Sequence, residues 1–134
     1  MTTRDEQLLA GRPVIDTALV TDAMTKEERF QNKTLRPILK GQNSLLLAML
    51  RLHLSVRKNI FYQLPQEQRP PYLVQAIQKD ANLRGTLKGI VIGQFTEDEF
   101  AQYATMAPAI DKRMMQLTIQ RLLSQLSVFD SPAR

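Results

Sequence analysis

Apolar residues return every three or four positions through most of this chain, the spacing of helices that bury one side. The longest such pattern runs from Leu35 to Gln63. At about 100° per residue, Leu35, Ile38, Leu45, Leu46, Met49, Leu52, Val56 and Ile60 gather on one side of it. Arg29, Lys33, Arg36, Lys40, Arg51 and Lys58 fall within roughly 60° on the other, provided the helix is unbroken. Leu47, Leu50 and Leu54 add apolar bulk beside the basic side, so the middle of this helix is expected to be buried nearly all round. Pro37 would cost about 3 kcal/mol inside a helix. It fits a first turn if Thr34 or Leu35 is the N-cap. The pattern therefore predicts a short helix over 26–33, a bend, and a long helix over 35–63.

On either side the elements are shorter. Residues 1–24 mix Gly11 and Pro13 with loosely spaced apolar positions (Val14, Ile15, Ala18, Leu19, Met24) and read as a partly ordered arm. Thr25 and Glu28 have the spacing of a reciprocal helix cap. Pro65, Pro70 and Pro71 end the long helix and bracket a single turn. Tyr72 to Lys79 is the next helix, and Asp80 or Asn82 can cap the one after it.

There Ala81, Gly85, Gly89 and Gly93 recur every four residues. Interior glycines cost about 1 kcal/mol each, which predicts a second helix brought unusually close, from within the chain or across a dimer seam. GIVIG at 89–93 also reads as a strand, but no second strand pairs with it. Thr96 and Glu99 form a second cap, with three acids in the first turn. Pro108 opens the last helix, where Ile110, Met114, Leu117 and Val128 form one ridge and Met115, Ile119, Leu122, Leu126 and Phe129 another, until Asp130-Ser131-Pro132 stops it. The elements add up to an all-α protein: a compact bundle of about five to six helices around a long central helix. Its divisions are an arm at 1–24, a single helical domain at 25–130 and a tail at 131–134.

Charge changes this picture in one respect. No carboxylate occurs between Glu28 and Glu67, and the formal charge of +5 is uneven. Arg4 and Arg12 against Asp5, Glu6, Asp16 and Asp22 leave the arm at −2 and the remainder at +7. A basic body fits a nucleic-acid or anionic partner through Arg36, Lys40, Arg51, Arg57 and Lys58. The plainer reading is a solvated lysine-rich surface with the acidic arm lying on it. No apolar run approaches a membrane span, and the first residues lack the order of a secretory signal, so the expected location is cytoplasmic, with no membrane partner. With no cysteine in the chain, disulfides and thiolate chemistry are excluded.

Candidate chemistry is sparse. His53, the single histidine, lies beside the apolar side of the long helix, where a hydrogen-bonded core role competes with that of a base. One histidine without cysteine builds no ordinary zinc site, and no glycine-rich phosphate cradle is present, so neither a metal nor a cofactor is expected. Arg121 sits on the first ridge of the last helix and, if buried, requires a carboxylate or several carbonyls. The six methionines fall at helical spacing and read as core filler.

The runs FQNKTLRPILKGQN, AIQKD, LKGIVIGQFTEDEFAQY and DKRMMQLTIQRL, in this order over residues 25–126, resemble a family of small uncharacterised bacterial proteins, some of which carry the label "glyoxalase". The resemblance implies a compact helical domain and supplies no activity and no functional residues. The label's chemistry does not fit these residues: glyoxalase I enzymes are β-rich and bind metal through histidine and carboxylate, and the hydrolase of that pathway needs many histidines. The sequence therefore points first to a non-enzymatic helical protein that binds another protein or itself. The alternative is a nucleic-acid or anionic-ligand binder, and the least favoured reading is a small enzyme using His53 with Tyr62, Tyr72 or a carboxylate.

Overall fold

The computed structural model describes residues 2–15 and 20–129. Among them there is no strand, and the segment 89–93 closes a helix instead. The helices are α1 (Thr3–Gly11), α2 (Lys26–Phe30), α3 (Arg36–Gly41), α4 (Asn43–Val56), α5 (Ile60–Gln63), α6 (Arg69–Lys79), α7 (Ala81–Ile92), α8 (Glu97–Ala104) and α9 (Ala107–Leu123). A π-helical turn, Gln31–Leu35, joins α2 to α3, and 3₁₀ turns occupy Gln66–Gln68 and Leu126–Phe129. The expected stop at Asp130, the tail at 131–134, and arm positions Asp16, Ala18 and Leu19 lie outside the described residues, as do the side chains of Val128 and Phe129.

The rod expected over 35–63 is segmented, and each break has a local cause. Pro37 has no N–H to offer the Lys33 carbonyl. The chain does not bend at Thr34 to avoid this loss; it widens into the π turn, with the Arg36 N–H reaching back to the Gln31 carbonyl. The helical path then continues from Lys26 to Gly41. Thr34 is thus no cap but a buried residue. A second break falls at Gln42, whose backbone (φ −98°, ψ 10°) leaves the helical range. The third is at Lys58 and Asn59, both left-handed at φ 59° and 56°. There the Asn59 N–H folds back 3.0 Å to the Leu54 carbonyl and closes α4 without glycine or proline.

The hub of the bundle is α9, which packs against α2, the π turn, α6, α7 and α8. Ile110, Met114 and Leu122 on its inner side are fully enclosed with Leu73 and Ile77 of α6, Leu87 and Val91 of α7, and Leu46 and Leu50 of α4. Each of these leucines contributes about 1.5–3 kcal/mol of burial. Phe30, Phe95 and Tyr103 close one end as a run of tilted and edge-on rings, 5.3 Å and 5.6 Å between centroids.

The arm docks through its bases more than its acids. Arg4 donates to the carbonyls of Phe95 (2.9 Å) and Gly93 (2.8 Å), and Arg12 to that of Gln94 (2.8 Å). These carbonyls lie just beyond α7, where the helix end leaves acceptors free and a negative dipole end. Asp5, buried, accepts the Glu97 N–H at 3.2 Å and so caps the start of α8. Thr96 and Glu99 form the reciprocal cap expected of them. At Thr25 only half of the expected arrangement forms: its oxygen accepts the Glu28 N–H at 3.2 Å, while the Glu28 carboxylate receives the Thr25 hydroxyl rather than its backbone.

The small-residue strip is not where a helix approaches. α7 turns Leu83, Leu87 and Val91 inward, which leaves Ala81, Gly85, Gly89 and Gly93 exposed. A Cβ built on Gly85 or Gly89 meets nothing within 4 Å. Four-residue spacing follows one side of a helix, and here the larger side chains one turn apart took the core. Gly89→Ala is therefore expected to stabilise the fold by about 1 kcal/mol, read as a rise in denaturant midpoint at constant slope. A loss of stability would show the strip to be covered.

Candidate interaction face

α4 is apolar almost all round, so its pattern fits two orientations. The structure buries one side only, not the nearly complete circumference expected, and that side is rotated from the expected one while sharing Leu46 with it. Leu46, Leu50 and Leu54 are enclosed and Leu47 packs partly against the core, whereas Leu45, Leu52 and Val56 are 50%, 55% and 71% exposed. Ile60, just beyond the break, is 45% exposed. The neighbours decided this: α7 lies against α4 and takes its Leu46–Leu50–Leu54 side. Leu45, Leu52 and Val56 then share about 40° of the outer arc, with Met49 at its edge packed partly against the core, and Arg51, the one arginine of α4, is roughly 120° away.

The basic residues do not form one stripe, because the breaks at Gln42 and at Lys58–Asn59 interrupt the helix that would align them. Arg36 is exposed and donates its Nε–H to Asn32 at 3.0 Å, and Lys40 is exposed nearby on α3. Arg51 is half-buried near Tyr62, whose hydroxyl pKa burial pushes up while Arg51 and Arg69 pull it back. Arg57 pairs with Asp80 at 3.0 Å, and Lys58 is exposed in its left-handed turn. Among the described residues, the arm's Asp5 is engaged by α8, and the carboxylate that meets this set is Asp80, paired with Arg57.

Two clefts collect the singled-out polar residues. One, of about 580 Å³, is lined by His53, Arg57, Tyr72, Gln75, Lys79 and Asp80. His53 Nδ1 is 3.7 Å from Asp80 Oδ2, too far for a hydrogen bond. Burial lowers the His53 pKa, Asp80 opposes this and Arg57 adds to it, so the ring is neutral near pH 7. Asp80 already accepts the Leu83 N–H at 3.0 Å and Arg57, and the first of these is the main reason its own pKa is depressed. It is a helix cap rather than a carboxylate that orients a base. Among the described residues no three histidine, aspartate or glutamate side chains converge as metal ligands.

The other cleft, about 570 Å³, brings Arg36 together with Arg121. Arg121 is half-buried, and among the described residues no carboxylate pairs with it. It donates to Asn43 Oδ1 at 3.3 Å, and Gln125 locks that amide with two bonds of 2.7 Å. Burial pulls the Arg121 pKa down, and Arg36 pulls it further. The pairing of residues 36 and 121, and the Asn43–Gln125 lock across 82 residues, leave no local signal in the sequence.

The described chain is thus an all-helical bundle with one long helix left apolar towards solvent and an arginine-lined cleft elsewhere. Among the described residues no helix is long and apolar enough to cross a membrane. No family model, no curated protein and no solved structure matches the chain.

Proposed function

We propose that the protein is a non-enzymatic binding module that associates with a second copy of itself through the outward face of α4. The observation that carries this reading is the row of exposed Leu45, Leu52 and Val56, continued by Ile60. Together they present on the order of 400 Å² of apolar surface, the size of the largest, often functional, patch on a monomer and about half of one partner's share in a standard interface. The expected dimer is therefore weak and depends on concentration.

A copy of the same chain suits this face for three reasons. Leu45 and Leu52, Ala48 and Ser55, and Met49 and Val56 are each seven residues apart, so bulky and small positions alternate along about 21 Å of helix. An antiparallel copy can set its leucines over the partner's Ala48 and Ser55. The Ser55 hydroxyl already donates to the Leu52 carbonyl at 2.8 Å, so burying it orphans no donor. No charged residue lies on the outward face between Leu45 and Val56, and the exposed Lys58 sits at its end.

Sedimentation equilibrium over a range of protein concentrations tests the reading. The expected result is a monomer–dimer equilibrium that Leu52→Glu abolishes while the melting temperature stays within a degree or two, since Leu52 is not in the core. A wild-type chain that stays monomeric at millimolar concentration would sink it.

A further inference from the structure

The Arg36–Arg121 cleft carries an inference independent of α4. Two guanidinium groups face one space, and no aspartate or glutamate among the described residues lines it. Repulsion between them is a standing cost, and Arg121 adds the cost of a charge held half-buried against a neutral amide. The fold nevertheless fixes this arrangement firmly, because the Asn43–Gln125 lock holds the Arg121 head from behind. An oxyanion placed between the two arginines turns the repulsion into two charge-assisted interactions.

We propose that this cleft binds the phosphoryl group of a small phosphomonoester, with Arg36 and Arg121 as its two anchors. The donor set favours phosphoryl over carboxylate. Gln120 lines the same space beside the arginines, and together the three side chains offer more N–H groups than two carboxylate oxygens accept. A dianion also matches two cations. Leu39 and Leu117 supply an apolar wall for the ester's body. The volume lies in the range of small-molecule sites, whereas a polymer backbone needs an extended track. Burial and the neighbouring Arg36 both lower the Arg121 pKa.

Calorimetric titration of the full chain at fixed ionic strength, with inorganic phosphate, phenyl phosphate and chloride, tests this. Phosphate and phenyl phosphate should bind, phenyl phosphate more tightly, and chloride should not. Arg121→Met and Arg36→Met should each weaken phosphate by at least about tenfold, the loss expected for one charge-assisted hydrogen bond, while Lys40→Met leaves it unchanged. In phosphate-free buffer Arg121→Met should keep or raise the melting temperature, because it removes a half-buried charge that no carboxylate among the described residues pairs with. The proposal is overturned if phosphate gives no heat, if Arg121→Met binds it as well as wild type does, or if Arg121→Met melts lower and phosphate does not stabilise the wild type. It is also overturned if a single-stranded oligonucleotide binds more tightly than phenyl phosphate and loses as much with Lys40→Met as with Arg121→Met, since the site would then be a polyanion surface.

Discussion

An Arg12→Ala variant should melt roughly 10–18 °C below the parent chain, the shift that a loss of about 3–5 kcal/mol produces in a domain of this size. The reason is the surroundings of Glu99. Arg12 donates to its two oxygens at 2.6 Å and 2.9 Å, and the Thr34 hydroxyl and Thr96 N–H donate at 3.1 Å and 2.9 Å. The two charged side chains are only 10% and 13% exposed. Removing the guanidinium leaves a carboxylate enclosed with no counter-charge, and it also releases the link between α1 and the Gln94 carbonyl. Thermal unfolding followed by circular dichroism measures the effect; a loss below 1 kcal/mol would show the pair to be solvated.

The same pair sets an acid dependence. Burial alone would raise the Glu99 pKa, but the hydrogen bonds from Arg12, Thr96 and Thr34 outweigh it and hold the group below its ordinary value of 4.5. Because the folded value is depressed, the stabilisation is complete above the unfolded-state value and is lost as pH falls through the lower folded one. Wild type should therefore lose stability on acidification below about pH 4.5, and Glu99→Gln should lose less over that window. Parallel slopes for the two chains would mean that Glu99 is not the group responsible.

Phe95→Ala should cost about 3–5 kcal/mol, as expected for a large side chain removed from a packed site. Phe95 is enclosed between α7 and α8, with the Phe30 ring edge-on and Tyr103 tilted against it. Its cavity would open where the α2, α7 and α8 ends meet, a place with few neighbours free to collapse inward. Phe100, half exposed on α8, is the internal control, and its alanine variant should cost under about 1 kcal/mol. Urea unfolding measures both, with a fall in midpoint at constant slope for Phe95→Ala; equal costs for the two would contradict the burial.

The sequence made the helices legible because their punctuation is chemical. Thr96 and Glu99, Asp80 before α7, and the prolines near the starts of α6 and α9 act locally, and local effects can be read from spacing. Choices made by neighbours are not local. α4 could bury either side, and α7 selected Leu46, Leu50 and Leu54. The break at Lys58–Asn59 uses left-handed backbone without glycine, so its one mark in the sequence is Asn59, the non-glycine residue that adopts this backbone most readily. Pro37 demanded a disturbance, but whether as a bend or a π turn depended on packing around the buried Thr34 and Leu35. Of the singled-out polar residues, Arg121 was marked by its place on an apolar ridge. Its opposition to Arg36 needed the fold.

The clamp between Arg12 and Glu99 spans 87 residues, and this separation has a consequence during synthesis. At 5–20 residues per second, the ribosome takes roughly 4–17 s to deliver the carboxylate after the guanidinium has been made. A nine-residue helix such as α1 cannot hold its shape alone in water for that interval. α1 should accordingly be among the last elements to settle, remaining open to proteases or chaperones until its acceptor at the head of α8 has emerged.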